Sequence, residues 1–391
     1  MKNEIIFGNY KEGSRELPVR ADLSNIGKDS YSILVTGGSG SGKTVKIQKI
    51  LMQLAEAGKT VYMLDIHNTM CPDQIYGPYR SRFESLAIRH DGYKGDIPCG
   101  LLTPATYPDG TVEAACDVAG ALAEIITTNY SFGSSQYTEL SSALEDVIET
   151  GSYQRSGFQA IETALLSGGK VAQGVARRLR SLFRHNVFCD GNLPLAPGKI
   201  NIMDLSKYDP RTQTIISEIL LYNLWHGIST GSQREIFVSI DEFQNIGMKK
   251  SGILSKMLAE GRKYGLNLIL ITQSLGIHFS SSQQKLLCQA RYKLFFRPSE
   301  ADAKQVDSLL SSSELPSSCV RILNNLKTGE CLISGPVYIG DESQPICDAI
   351  RLLADRPGDC HADVTGKAVR VCNNRVKIFC KFPEDDDVLQ E

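Results

Sequence analysis

Eight consecutive residues, Gly37-Gly38-Ser39-Gly40-Ser41-Gly42-Lys43-Thr44, combine the properties needed to hold a triphosphate. The glycines let successive backbone N–H groups curl around an anion, and the helix predicted to start near Lys43 turns its positive end toward the same charge. In such a loop Lys43 reaches the β and γ phosphates, while Thr44, in the first helical turn, offers its hydroxyl to Mg2+. The apolar run Ile33-Leu34-Val35 directly before the loop supplies the strand from which it must spring. ATP and Mg2+ are the expected cofactors, with Gly37, Gly38, Ser39, Gly40, Ser41, Gly42, Lys43 and Thr44 forming the cradle.

A second group of residues could complete a hydrolytic site. Ile236-Phe237-Val238-Ser239-Ile240 is an apolar strand that ends on Asp241-Glu242. Asp241 is placed to hold the water shell of Mg2+ opposite Thr44, and Glu242 to orient and polarise the water that attacks the γ phosphate. Gln273 ends another apolar strand, Leu268-Ile269-Leu270-Ile271-Thr272, where a neutral amide can hydrogen-bond the γ phosphate or its attacking water. Arg262, on the helix leading into that strand, is set to point away from its own nucleotide toward a neighbour's, as an arginine finger supplied in trans requires. An ordinary surface arginine is the other reading, and Arg291 and Arg297 are weaker candidates for the finger. Asp65 and His67, at the end of the run Thr60-Val61-Tyr62-Met63-Leu64, are second-tier site candidates, with Asp65 alternatively starting a turn before Asn68.

These residues need a sheet to bring them to one edge. Short apolar runs at 32–36, 60–65, 199–205, 235–240, 267–272, 293–296 and 330–334 read as strands, several buried on both faces, between helical patterns such as 43–57 and 212–226. The alternation predicts an α/β fold whose mostly parallel sheet is covered by helices on both sides. Residues 1–30 read as N-terminal edge strands and residues 31–336 as the core. Within the core, residues 111–186 carry helical patterns at 112–126, 137–148, 158–166 and 172–183, which predict an all-helical insertion. Its Arg177-Arg178-Leu179-Arg180 and Arg184 form a basic face that either touches phosphate or belongs to a solvated helix end. Residues 337–391 read as a small C-terminal module: a helix over 345–353, strands around 368–371 and 376–382, and the frayed acidic tail Glu384-Asp385-Asp386-Asp387.

Composition narrows the setting. A chain of 391 residues holds one large α/β domain, or a core with an inserted lobe and a tail. With 42 Lys and Arg against 44 Asp and Glu, the net charge of −2 neither favours nor excludes a polyanion, so DNA binding would use one local basic surface. No run approaches the roughly 18 to 20 apolar residues of a membrane span, and the start leads into no signal-peptide core. A cytoplasmic protein without direct membrane insertion is expected. The 11 cysteines include no C-x-x-C pair, and Cys347, Cys360, His361, Cys372 and Cys380 match no standard zinc spacing, so reduced thiols are expected.

Gly37 to Thr44, Asp241-Glu242-Phe243-Gln244, and Gly261-Arg262-Lys263-Tyr264-Gly265 running into Thr272-Gln273-Ser274 together resemble the HerA/FtsK superfamily of hexameric translocases. The core is also similar to the ATPases of conjugative transfer. The resemblance covers residues 15–336. It implies a RecA-like P-loop core assembled as a homo-oligomeric, hexameric ring, with nucleotide between subunits and DNA driven through the pore by ATP hydrolysis. On this sequence it implies Lys43 and Thr44 for phosphate and Mg2+, Asp241 and Glu242 as the Walker B pair, Gln273 as sensor and Arg262 as finger. Gly329 to Pro336 looks like the closing strand of the core. The chain also departs from the family: the 36 residues before Gly37 are too few for the barrel of HerA proper, and neither the membrane helices of coupling ATPases nor the winged helix of FtsK-like chains is found. The expectation is a stripped motor working with a partner nuclease or effector in defence, conjugation or DNA processing. The alternatives are a nucleotide-switched scaffold gating a partner protein and a protein-secretion ATPase.

Overall fold

Successive residues along the central strands go to opposite faces of one sheet, and both faces are covered. The computed structural model describes residues 3–12, 14–26, 28–107, 109–153, 157–185, 187–189, 191, 193, 196–230, 235–246, 248, 252–310, 319–345, 349–354 and 370–371. Among them the strands are β1 Glu4–Glu12, β2 Arg15–Asp22, β3 Ile33–Thr36, β4 Thr60–Asp65, β5 Ala87–Asp91, β6 Ile97–Pro98, β7 Phe188–Cys189, β8 Ile200–Asp204, β9 Ile236–Ile240, β10 Leu266–Thr272, β11 Tyr292–Phe296, β12 Cys331–Ser334, β13 Tyr338–Ile339, β14 Ala349–Leu352 and β15 Arg370–Val371. The main sheet has the order β15-β14-β12-β11-β3-β10-β9-β4-β8-β5. From β11 to β5 all pairings are parallel, whereas β12, β14 and β15 add an antiparallel flank.

Ile33, Val35, Val61, Met63, Phe237, Ile269 and Ile271 join one apolar cluster with Ile47, Ile50 and Leu54 of the helix Lys43–Glu56. Leu34, Tyr62, Leu64, Val238, Ile240, Leu268 and Leu270 join the other, with Leu220 and Leu224 of the helix Pro210–Thr230. Such a sheet excludes water from its backbone ladder except at the strand ends, where loops are free to carry chemistry.

The α/β class and the mostly parallel sheet agree with the sequence pattern, but two elements differ from it. The first two strands are not edges of the main sheet. They pair with each other and with β13 in a separate antiparallel sheet, whose Ile5, Phe7 and Val19 pack in the same cluster as the helix Lys43–Glu56. Lys46 Nζ donates to the Phe7 carbonyl at 2.9 Å, and the Gln53 amide both accepts from Ile6 N–H and donates to Ile6 O, so polar groups fix the small sheet across that helix. Residues 349–352, read from sequence as part of a helix, form β14. Buried Ile350 and Leu352 flank Arg351, whose guanidinium pairs with Glu330 at 2.6 Å, an alternation that fits a strand. The strand expected around 376–382, the acidic tail and Cys347, Cys360, His361, Cys372 and Cys380 lie outside the described residues.

Between β6 and β7, which pair in parallel, run the helices Ala115–Tyr130, Ser134–Glu149, Phe158–Ser167 and Lys170–Arg184. Leu122, Ile126, Leu140, Leu144 and Leu179 place them in the apolar cluster on the Pro210–Thr230 side. No helix among the described residues is long and apolar enough to cross a membrane.

Candidate functional site

Parallel pairing sends the ends of neighbouring strands to one edge, and that edge gathers most of the candidate residues. The phosphate loop follows β3, Gln273 follows β10 and Asp241-Glu242 follow β9, with β10 lying between the other two. At about 4.8 Å per strand, β3 and β9 stand about 10 Å apart, and Gln273 emerges in the gap.

The loop is gripped from both sides. Gly38 N–H donates to Arg297 O at 2.9 Å, and Gly329 N–H donates to Ser41 O at 2.8 Å. Gly42 takes φ 101° and lies so close to Gly329 that a Cβ there would come within 2.7 Å of its Cα, which no side chain would permit. The buried Lys43 turns its ammonium onto the carbonyls of Gly37 at 2.7 Å and Gly38 at 3.0 Å. Burial lowers its pKa, while Glu242 and Asp241 act in the opposite direction. Ser41 Oγ is buried without a hydrogen-bond partner among the described residues, and the half-buried Thr44 sits in the first turn of the helix.

Asp241 is buried at the end of β9. Burial, followed by the adjacent Glu242 and then by Asp65, raises its pKa to about 6, partly offset by a hydrogen bond from Thr69 Oγ1 at 3.1 Å. Glu242 adopts left-handed backbone angles, φ 49° and ψ 48°, rare for a residue with a side chain. Gln273 Nε2 donates to one of its carboxylate oxygens at 2.7 Å and Gln244 Nε2 donates to the other. Two neutral amides thus clasp the carboxylate. Strain of this kind persists where surrounding contacts over-determine a functional conformation.

The other candidates separate. Asp65 accepts both Thr69 N–H and Met70 N–H, each at 2.9 Å, so it organises the turn after β4 and touches Asp241 only through the Thr69 hydroxyl. His67 contacts Asn245, at 3.2 Å, two residues beyond Phe243. Arg297 is exposed and leaves β11 at the phosphate-loop edge. Arg262 lies on the single 3-10 turn Gly261–Tyr264 that continues the helix Ile253–Glu260 into β10, and its Nη1 reaches Lys28 O at 3.4 Å. That turn precedes β10, so the length of the strand, about 20 Å, separates Arg262 from its own phosphate loop. Arg291 occupies the same far edge, paired with Asp29 at 3.1 Å and stacked over Tyr31.

Sequence reasoning missed the parts supplied from a distance, the Thr69 hydroxyl, the Arg297 carbonyl and Gly329, and gave no role to the Gln244 amide, although Gln244 lies two residues from Glu242 in the motif. Of the three distant parts, Thr69 had a local signal, an Asp four residues before it with loop residues between, the pattern of a side chain capping a turn.

The donor set suits a nucleotide rather than an isolated metal. Among the described residues no group of three or more His, Cys, Asp or Glu is arranged to hold a metal ion. Mg2+ commonly takes one or two protein oxygens and completes its octahedron with water and phosphate, which is what the Thr44 hydroxyl and the Asp241 carboxylate can offer. The glycine cradle, the Lys43 ammonium and the helix N-terminus in turn fit the phosphates.

Residues 7–224 match the family model described as the central domain of the helicase HerA, more than half of the chain. The chain belongs to the HerA central-domain family. The matched span holds the phosphate loop and ends before Asp241. Among solved structures, VirB4 of Thermoanaerobacter pseudethanolicus is similar over 91% of this chain and 98% of its own, with a TM-score of 0.64 and 14% identity. The bacterial conjugative coupling protein TrwB, lacking 70 N-terminal residues, is similar over 84% of this chain and 88% of its own, with a TM-score of 0.54 and 13% identity. TrwB in complex with ADP and Mg2+ gives a TM-score of 0.53 at 14% identity, over 81% of this chain and 87% of its own. At these identities the likeness is one of fold, a RecA-like P-loop core. No curated protein matches the sequence.

Proposed function

We propose that this HerA-family chain is an ATP-hydrolysing motor that moves DNA, acting as a homo-oligomeric ring that its motifs liken to a hexamer. The observation that carries the reading is the shared edge: cradle, Gln273 and the Asp241-Glu242 pair stand at the ends of three neighbouring parallel strands, with Glu242 clasped by two amides. Lys43 would exchange the carbonyls of Gly37 and Gly38 for phosphate oxygens. Thr44 and Asp241 would hold Mg2+, which when bound neutralises charge on the transferring phosphoryl group. Glu242 would orient the attacking water, and Gln273, already bonded to Glu242, would register loss of the γ phosphate. The TrwB complex with ADP and Mg2+ supports this choice of cofactors. Arg262, too far from its own loop to serve it, would complete a neighbour's site. Partner proteins, a nuclease or another effector, would supply DNA choice and docking in a cytoplasmic machine.

Steady-state ATP hydrolysis by the wild type and Glu242→Ala, with and without linear duplex DNA and with molar mass recorded in the same buffer, tests the reading. Glu242-dependent turnover, stimulated by DNA in a ring-sized species, is expected. Turnover indifferent to DNA would instead point to a nucleotide-switched regulator of a partner protein.

A further inference from the structure

The helix Lys170–Arg184 has one lysine, four arginines and no acidic residue. Its apolar side, Val175, Leu179, Leu182 and Phe183, is buried in the core. At 3.6 residues per turn, Lys170, Arg177, Arg180 and Arg184 fall within about a quarter of the helix circumference, on the opposite side. All four are exposed, and among the described residues no salt bridge joins Arg177, Arg180 or Arg184 to a carboxylate. Unpaired like charges in a row raise the local potential and repel one another, a cost that an anionic partner removes.

Two further arginines widen this ridge and are held in place. Arg178 lies 4.4 Å from the centre of the Phe132 ring and donates to Tyr130 O at 2.6 Å. Arg211 lies over the Tyr130 ring, itself stacked on Phe132. Asp209, the acidic residue nearest to Arg211 in sequence, is engaged as a helix cap, accepting Arg211 N–H, Thr212 N–H and the Thr212 hydroxyl. The turn that carries Arg211 also touches the candidate active site. Gln213 donates to Ile66 O at 3.0 Å, and Thr214 donates to Asn245 O at 2.9 Å, so the segments after β4 and after Glu242 both rest on it.

We infer that the solvent face of the Lys170–Arg184 helix, together with Arg178 and Arg211, grips the phosphate backbone of DNA. The inference rests on the reading of the chain as a DNA motor and adds to it a surface on the helical insertion. From Lys170 to Arg184 the ridge runs about 21 Å, the axial length of about six nucleotides in one strand of a duplex. Guanidinium groups suit this partner because their planar forks take phosphate oxygens two at a time. A bilayer fits less well, since an interfacial helix must insert an apolar face and here that face is already buried in protein. The contact reads charge rather than bases, as a translocating motor requires.

Fluorescence anisotropy with a labelled duplex of about 40 bp, titrated with the full chain over a range of salt, tests the surface. The variants are Arg177→Gln, Arg180→Gln and Arg184→Gln combined, and the same three positions changed to Lys. Both sets keep good helix formers on an exposed face. The Gln variant should bind at least about 10-fold more weakly, with the slope of log K against log salt smaller by about 2 to 3, since each lost phosphate contact removes about 0.9. The Lys variant should keep the slope, and ATP hydrolysis without DNA should be unchanged in both. Equal affinity and slope in wild type and Gln variant would overturn the ridge while leaving the motor reading intact. A wild type that hydrolyses ATP but binds no duplex would overturn both. Displacement of the duplex by polyglutamate as readily as by unlabelled duplex would assign the ridge to an acidic polypeptide instead.

Discussion

Glu242 concentrates the strain and the polar contacts of the site in one residue. Its left-handed backbone turns the side chain toward two amides, and each carboxylate oxygen has one of them as donor. In its proposed role a carboxylate that orients a water would tolerate little displacement, since an error of about 1 Å costs up to about 100-fold in rate. Gln244→Ala should therefore lower kcat by about 10-fold and leave KM for ATP within about two-fold, in steady-state kinetics. An unchanged kcat would make Gln244 a bystander. Asp241 shows the cost of placing such chemistry in a buried edge. Its folded pKa of about 6 lies above the ordinary 3.8, so the folded chain binds this proton more tightly than the unfolded chain does. Ionising Asp241 thus subtracts stability: almost nothing below pH about 4, progressively more through pH about 6, and the full amount above it. A shift of about two units corresponds to at most about 3 kcal/mol. Asp241→Asn should unfold in urea with about 1 to 3 kcal/mol more stability than wild type near pH about 7.5, without nucleotide or Mg2+, and this advantage should fade as pH falls from about 6 to about 4. It should also hydrolyse no ATP. Equal stability near neutral pH would contradict the burial argument.

At the scale of elements, what the sequence revealed and what it hid divide by the range of the contacts. The strand, glycine loop and helix around Lys43 are consecutive, so their chemistry and their structure are written in one stretch. The same holds for the apolar run that ends on Asp241-Glu242 and for the four helical patterns between β6 and β7. Gly329, Arg297 and Thr69 meet the site only through the order of strands in the sheet, and no local pattern announces that order. In the antiparallel flank, β12 and β15 were legible as strands and β14 was hidden for a different reason. The apolar spacing in 345–353 satisfies a helical period, and it is long-range contacts, the ladder to β12 and the pairing of Arg351 with Glu330 just before β12, that hold residues 349–352 as a strand. Both partners are about nine-tenths buried, so removing one leaves an uncompensated charge in the interior. Arg351→Met should cost about 3 to 5 kcal/mol in urea unfolding, and Glu330→Leu combined with it should recover most of that loss. A small cost for the single variant would mean that water reaches the pair and that it does little to hold the flank on the sheet.

For the whole molecule, the sheet has two chemically different edges. One carries the cradle, Asp241, Glu242 and Gln273; the other, about 20 Å away along β10, carries Arg262 and Arg291 on the segment around Lys28 and Asp29. A chain cannot fold that distance away without dismantling the sheet, so an arginine finger drawn from the far edge has to enter a second copy. Arg291 is already neutralised by Asp29 and spread over Tyr31, whereas among the described residues Arg262 has a long hydrogen bond to a carbonyl and no carboxylate partner, which leaves it the freer of the two to meet phosphate. With Arg262 as the proposed finger, hydrolysis would depend on assembly in a way that mixing exposes. Glu242→Ala and Arg262→Ala proteins should each be nearly inactive alone, yet a mixture should recover turnover at interfaces where one copy supplies Glu242 and the neighbour supplies Arg262. If each variant loses about 100-fold or more, random mixing in equal amounts restores such an interface at about a quarter of the sites, so activity should rise well above either parent. Molar mass measured on the mixture, with one variant carrying a distinguishing tag, establishes that the two proteins share a particle. Co-assembly without any recovered turnover would remove Arg262 from the active site and leave Arg297, at the phosphate-loop edge of its own chain, as the arginine to examine next.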